Sequence, residues 1–273
     1  MTSLLEGLSP VSIGPEGLLF LCAAATLAGF VDAIAGGGGL ITLPALLSVG
    51  VAPISAIATN KIQGSFGTAA ATFNFWRAGR IDLRLLAWPL VATVLGACAG
   101  AAAVSRIDPT GLALVLPILL AAIALYFLFG PRVSDEDARA RLSVGGYSLV
   151  AAAIGFYDGF FGPGAGSFFA LSLVTLMGMG LTRATAHTKA LNLTSNLVSV
   201  AVFAIGGHVV WAIGLAMAAC QVAGGYLGSH AAMRFGPRLI RPLLVIVCLA
   251  MVARLLADPE NPLRQAILGA FGG

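Results

Sequence analysis

The chain has 273 residues, of which 59% are hydrophobic and only 10% charged, with a mean hydropathy of +0.97. A soluble domain carries about 25% charged residues, so there is too little charge here to cover a water-exposed surface. The formal net charge of +4 does not mark a nucleic-acid binder either. The arginines sit in short loops between apolar stretches, as Arg77, Arg80 and Arg84 or Arg234, Arg238 and Arg241, which is the pattern of membrane topology rather than a phosphate-tracking patch.

The chain opens with Glu6 and Glu16 and no basic residue, so it lacks the positive n-region of a cleaved signal, and the first apolar stretch is expected to remain as a helix. Eight long apolar segments follow, at about 17–35, 54–75, 85–104, 111–130, 144–162, 183–205, 211–229 and 239–257. The expected fold class is an all-α integral membrane protein, a polytopic helical bundle. The charged run 131–143 divides it into a first membrane repeat, 1–130, and a second, 144–273, and reads as a solvated connecting loop. Cys22, Cys98, Cys220 and Cys248 fall singly within spans, with no metal or disulfide spacing, and read as small packing residues. Trp76, Trp88 and Trp211 bracket loops and fit an interfacial aromatic belt, while His208 and His230 lie near span ends.

The two halves repeat. GFVDAIAGGGGL at 29–40 is similar to GFYDGFFGPGAG at 155–166, which aligns Asp32, Gly36 and Gly38 with Asp158, Gly162 and Gly164. After a two-residue insertion Lys61 aligns with Lys189, and these are the only lysines in the chain. A lysine at bilayer depth costs roughly 2.5–3.5 kcal/mol on insertion scales, so bearing it twice at matching positions points to use of the charge. Each half also holds an apolar segment too short to span, 40–50 and 166–178, directly after a glycine-rich break. These read as broken or re-entrant helices. The arginine cluster lies at 77–84 in the first half but one loop further on, at 234–241, in the second. If both face the cytoplasm, the repeats are inverted, the plan of many secondary transporters.

The candidate substrate residues follow from these features. Lys61 and Lys189 offer charge. Asn60, Gln63 and Ser65 on one helix, and Asn192 and Asn196 on the other, offer amides and a hydroxyl near each lysine. Gly36, Gly37 and Gly38, with Gly162 and Gly164, let backbone N–H groups at a helix start approach an oxyanion. Asp32 and Asp158 can pair with a lysine, cap a short helix or carry a proton, and the pattern leaves these open. The blander alternative is that each lysine simply neutralises an aspartate and fixes helix packing, and both roles can coexist. His187 has no counterpart at Thr59 and reads as a satisfied polar contact. No nucleophile elbow, H-E-x-x-H or Walker motif is present, so no catalytic residue, metal or cofactor is assigned.

GFVDAIAGGGGLITLPALL with ISAIATNKIQGSFGTAAATFNFWRAGRID, and GFYDGFFGPGAGSFF with TRATAHTKALNLTSN, resemble the sulfite exporter TauE/SafE family over about residues 17–257. The resemblance implies a bacterial inner-membrane carrier for small sulfur-containing or organic anions such as sulfite, sulfonates or sulfoacetate, and with the repeats it gives the expected function, a secondary transporter and exporter working by alternating access. By position it carries over Asp32, Gly36, Gly38, Asn60 and Lys61, and Asp158, Gly162, Gly164, Lys189 and Asn192. The expected partners are the anion, the lipid bilayer and a further copy of the chain, but no nucleic acid. The rival readings are a membrane-embedded enzyme acting on a lipid or sulfur compound and an anion channel.

Overall fold

The computed structural model describes residues 13–107 and 136–235, and every regular element in them is a helix. In chain order these are α1 (Pro15–Ala35), α2 (Gly39–Ser48), α3 (Pro53–Arg77), α4 (Leu83–Val104), α5 (Val144–Phe160), α6 (Ala165–Met177), α7 (Leu181–Ile205) and α8 (Trp211–Phe235). The expected segments 111–130 and 239–257 lie outside the described residues.

Local chemistry sets the ends. Pro15 and Pro53 occupy the first turns of α1 and α3, where a missing N–H costs nothing. The Asp82 side chain accepts from the N–H groups of Arg84 and Leu85 at the start of α4, and Ser143 accepts from Gly146 N–H at the start of α5. The two internal breaks need glycine. Gly36 ends α1 at φ 79° and Gly162 follows α5 at φ 99°, in the region that L side chains avoid.

Among the described residues four helices, α1, α4, α7 and α8, are long and apolar enough to cross a membrane. Two of the expected long spans depart from that standard. With 25 residues, α3 is long enough, but it carries Asn60, Lys61, Gln63, Ser65 and Thr68 through its middle. At 17 residues, about 26 Å at 1.5 Å per residue, α5 is shorter than the roughly 30 Å hydrocarbon core. The short helices are present where the breaks placed them: α2 has 10 residues and α6 has 13.

Polarity is inside-out relative to a soluble protein. Leu95 and Leu149 are 67% and 76% exposed, whereas Lys61, Lys189 and Asp158 are each 1% exposed. Such a surface suits lipid. Trp76, Trp88 and Trp211 are all exposed, as an interfacial role requires.

The halves exchange helices: α4 of the first packs along α5 of the second, and α8 of the second packs along α1 of the first. Glycines make these the closest seams. A Cβ on Gly96 would lie 2.1 Å from the Ala152 carbonyl oxygen, and one on Gly224 would lie 2.0 Å from that of Thr26. Small residues that let backbones meet are the means by which helices associate in lipid. Between these seams α3 and α7 pack against each other at the centre.

One reading is corrected here. Cys98 is exposed rather than packed, and Cys22 and Cys220, far apart in sequence, meet across the α1–α8 seam. Cys248 lies outside the described residues. The described end of the central loop is exposed, and it is tied to the turn between α6 and α7. Asp137 accepts from Gly180 N–H at 2.6 Å and from the Arg183 guanidinium at 3.3 Å, while Ala138 N–H donates to the Gly178 carbonyl at 2.7 Å. The Gly180 bond, then the Arg183 charge, hold the Asp137 carboxyl below the usual carboxylate range. A lowered folded-state value stabilises the docked loop at pH above the ordinary carboxylate pKa of about 3.9, and that stability is lost as pH falls through the lowered value. Proteolysis of the 136–143 loop in detergent is therefore expected to stay slow from neutral pH down to the ordinary carboxylate range, and to rise only below it. A rise already at pH 5 to 6 would contradict this.

Candidate functional site

The two glycine breaks meet at the centre of the molecule. A Cβ on Gly36 would lie 2.4 Å from the Gly166 carbonyl carbon, so the end of α1 and the start of α6 touch backbone to backbone. The Ser167 hydroxyl donates to the Ala35 carbonyl and fastens this contact. Around it, α3 and α7 present their polar faces.

Each lysine crosses to the other half. Lys61 on α3 forms an ion pair with Asp158 on α5 and donates to the Asn196 side-chain oxygen on α7 at 3.0 Å. Lys189 on α7 donates to the main-chain carbonyl of Asp32 on α1, and its ammonium lies 3.5 Å from the Asp32 carboxylate. The carboxylates have further donors. The Ser195 hydroxyl donates to Asp158, and Gly38 N–H donates to Asp32 at 3.3 Å, so Asp32 both pairs with a lysine and caps the approach to α2. Of the readings left open for the aspartates, pairing and capping are thus seen directly.

A polar cavity of about 30 Å³ lies between these groups. Its walls include Asp32, Asp158, Lys61, Asn60, Gln63, Asn192 and Asn196, with Gly36, Gly162 and Gly164 from the breaks. Gly39 and Gly166, in the first turns of α2 and α6, complete the floor. Four of the candidate residues stand off the cavity wall. Lys189 lies behind Asp32; Ser65 donates to the Lys61 carbonyl at 2.8 Å; Gly37 is set back from the floor; and Gly38 is held to Asp32. Asn60 and Gln63 are tied together, Gln63 N–H donating to the Asn60 oxygen at 2.8 Å and to Thr42 of α2 at 3.0 Å.

Gln221 of α8 also lines the cavity, and its carbonyl oxygen is buried without a partner among the described residues. Its match in the other half is Thr93, so the repeat did not mark it. A glutamine amid the apolar residues of α8 was the signal present in sequence. Thr42 was missed for a similar reason, since it lies inside an apolar short helix. His187 is away from the cavity. It accepts from Asp82 N–H at 3.2 Å through Nε2 and donates from Nδ1 to the Arg183 carbonyl at 2.9 Å, the satisfied contact expected. No group of three or more metal-ligating side chains occurs among the described residues.

A helical bundle with lipid-facing leucines, broken helices meeting at its centre and a small polar chamber lined from both halves defines a polytopic membrane protein. Comparison with known proteins narrows the class. The family model described as sulfite exporter TauE/SafE matches residues 21–255. "Probable membrane transporter protein ORF9" of Sinorhizobium sp is 47% identical over 248 residues, covering 90% of this chain and 95% of that one. "Probable membrane transporter protein YfcA" of Escherichia coli strain K12 is 45% identical over 257 residues, covering 94% of each. A "probable membrane transporter protein" of Haemophilus influenzae is 44% identical over 249 residues, covering 91% of this chain and 98% of that one. No solved structure gives a significant match. The chain belongs to the sulfite exporter TauE/SafE family and is a multi-pass membrane transporter of the bacterial inner membrane.

Proposed function

We propose that the chain is a secondary carrier that exports a small anion, sulfite, a sulfonate or a related sulfur-containing or organic anion, by alternating access between two inverted repeats. The observation that carries this reading is Lys61, a cation 1% exposed that forms part of the wall of a small polar chamber lined from both halves. A buried cation with the amides of Asn60, Gln63, Asn192 and Asn196 around it suits an oxyanion, which takes one charge-assisted contact and several hydrogen bonds. Glycines at the starts of α2 and α6 add backbone approach.

The chamber size supports a moving carrier over an open pore. A volume of about 30 Å³ holds one or two waters, so a four-heavy-atom anion enters only when the helices around the chamber part. The exchanged seams, α4 on α5 and α8 on α1, supply two bodies that can rock about the central α3–α7 contact. Lys189, committed to Asp32, positions the end of α1 and acts on the anion through that placement.

Purified protein in proteoliposomes tests the reading. Saturable uptake of sulfite, thiosulfate or methanesulfonate, with acetate as the non-sulfur comparison, is the expected result. Absence of movement for all four from folded protein would reject the anion-carrier reading. Conductive current at rates beyond carrier turnover would replace it with a channel.

A further inference from the structure

We infer that the carrier takes up one proton with each anion, and that Asp158 is the residue that holds it. This rests on the anion-carrier reading above. The starting point is charge. Lys61, Lys189, Asp32 and Asp158 are all buried, and with both acids ionised they sum to zero. An anion arriving beside Lys61 adds a negative charge to this buried cluster, and an uncompensated buried charge is strongly unfavourable. Neutrality returns when a proton comes with it. The ion pair Lys61-NH3+ with Asp158-COO−, plus an anion and a proton, becomes Lys61-NH3+ with the anion, plus Asp158-COOH. Atoms and charge balance on both sides, and no redox step is involved.

The surroundings of Asp158 already accommodate both forms. The Ser195 hydroxyl has one hydrogen and two acceptors within reach, the Asp158 carboxylate and the Asn192 carbonyl at 3.0 Å. With Asp158 ionised, Ser195 donates to it. With Asp158 protonated, the carboxyl O–H donates to Ser195, which turns its own hydrogen to Asn192. One hydroxyl rotation therefore satisfies each state without moving a helix. Asp32 has no such arrangement: the partners shown for its carboxylate are Gly38 N–H and the Lys189 ammonium, which donate and cannot accept. The difference traces to sequence, because the position matching Ser195 in the first half is Gly67.

The neighbours of Asp158 define what else could take the proton. From α3 comes Lys61; from α7, Ser195 and Asn196, with Lys189 turned to Asp32; from α1, Asp32. On α5 itself, the Tyr157 hydroxyl donates to the Pro163 carbonyl. No titratable side chain occurs in α6, and on α4 the only charged one is Arg84, at its outer end. His187 is engaged with Asp82 and Arg183.

The test counts protons against anions in proteoliposomes loaded with a pH dye. Methanesulfonate is the primary probe because it keeps a single charge across the usable pH range. The expected result is one proton per methanesulfonate in the wild type. Asp158→Asn is expected to lose that proton and net uphill flux while retaining anion-for-anion exchange, because the unpaired Lys61 must always carry an anion. If only sulfite moves, the count is taken in the wild type at alkaline pH, where sulfite itself bears no proton. Anion flux without a protein-borne proton would overturn the coupling and leave the carrier reading standing; no flux with either probe would overturn both. A proton count unchanged in Asp158→Asn would overturn the assignment to Asp158. Should that variant fail to fold, Ser195→Ala is used, and a pH midpoint of coupled uptake that does not move would overturn the assignment instead.

Discussion

Lys61→Ala will abolish anion flux and destabilise the protein by about 3–5 kcal/mol, the cost of leaving one member of a buried ion pair uncompensated. The size follows from the site. The Asp158 side chain is 2% exposed, and the small chamber beside it offers only a water or two in place of the lost cation. Ser195 alone cannot replace an ammonium. Asp158→Ala will show a loss of the same order for the converse reason. The double variant Lys61→Ala with Asp158→Ala removes both charges and is expected to regain most of the thermal stability while remaining inactive. Thermal unfolding in detergent gives the coupling energy, and proteoliposome flux gives the activity. Additive losses of stability, or flux in the double variant, would contradict the account. Lys189→Ala should cost less stability, because Asp32 keeps its Gly38 N–H donor and its side chain is 11% exposed.

Placing alanine at Gly96 or Gly224 will be as damaging as many core substitutions, although it adds a single methyl. Each new Cβ would meet a backbone carbonyl oxygen at 2.1 or 2.0 Å, so the helix must move rather than a side chain. Separating α4 from α5, or α8 from α1, gives up the close contacts along each seam, with an expected cost near the upper end of the 1–3 kcal/mol typical of overpacking. Gly64→Ala is the matched control: its Cβ would lie 3.6 Å from the nearest atom, the Asn196 amide, an ordinary contact. Monodisperse yield and melting temperature of the three variants decide the matter. Equal stability of all three would show that the seams are looser than the geometry implies.

Membrane class, break positions and the rare charged pairs were legible in sequence because each rests on local composition. Gly36 and Gly162 fall where the backbone needs a left-handed turn, and α2 and α6 follow with the expected lengths. What periodicity could not give was partner choice. A helical stripe tells which residues share the face of Lys61, but not that Lys61 crosses to Asp158 and Lys189 to Asp32, since that depends on how two distant helices pack. For the same reason Gln221, on a helix read as apolar, was missed, and the matched lysines looked equivalent though only Lys61 reaches the chamber wall. Asp137 was counted as loop charge, because its tie to Gly180 arises only when α6 and α7 bring that turn beside it.

The most direct measurement of the central claim is the accessibility of one cysteine placed at Gly64, on the chamber wall, in a chain whose native cysteines are replaced. A Cβ there would meet its nearest atom at 3.6 Å, an ordinary contact, and Gly64 itself lines the chamber. A membrane-impermeant thiol reagent is applied from either side of oriented vesicles. Labelling from both sides, slowed in each case by the transported anion, is the result the account predicts. Labelling from one side only, or at a rate indifferent to the anion, would contradict a chamber that opens alternately to the two faces around Lys61.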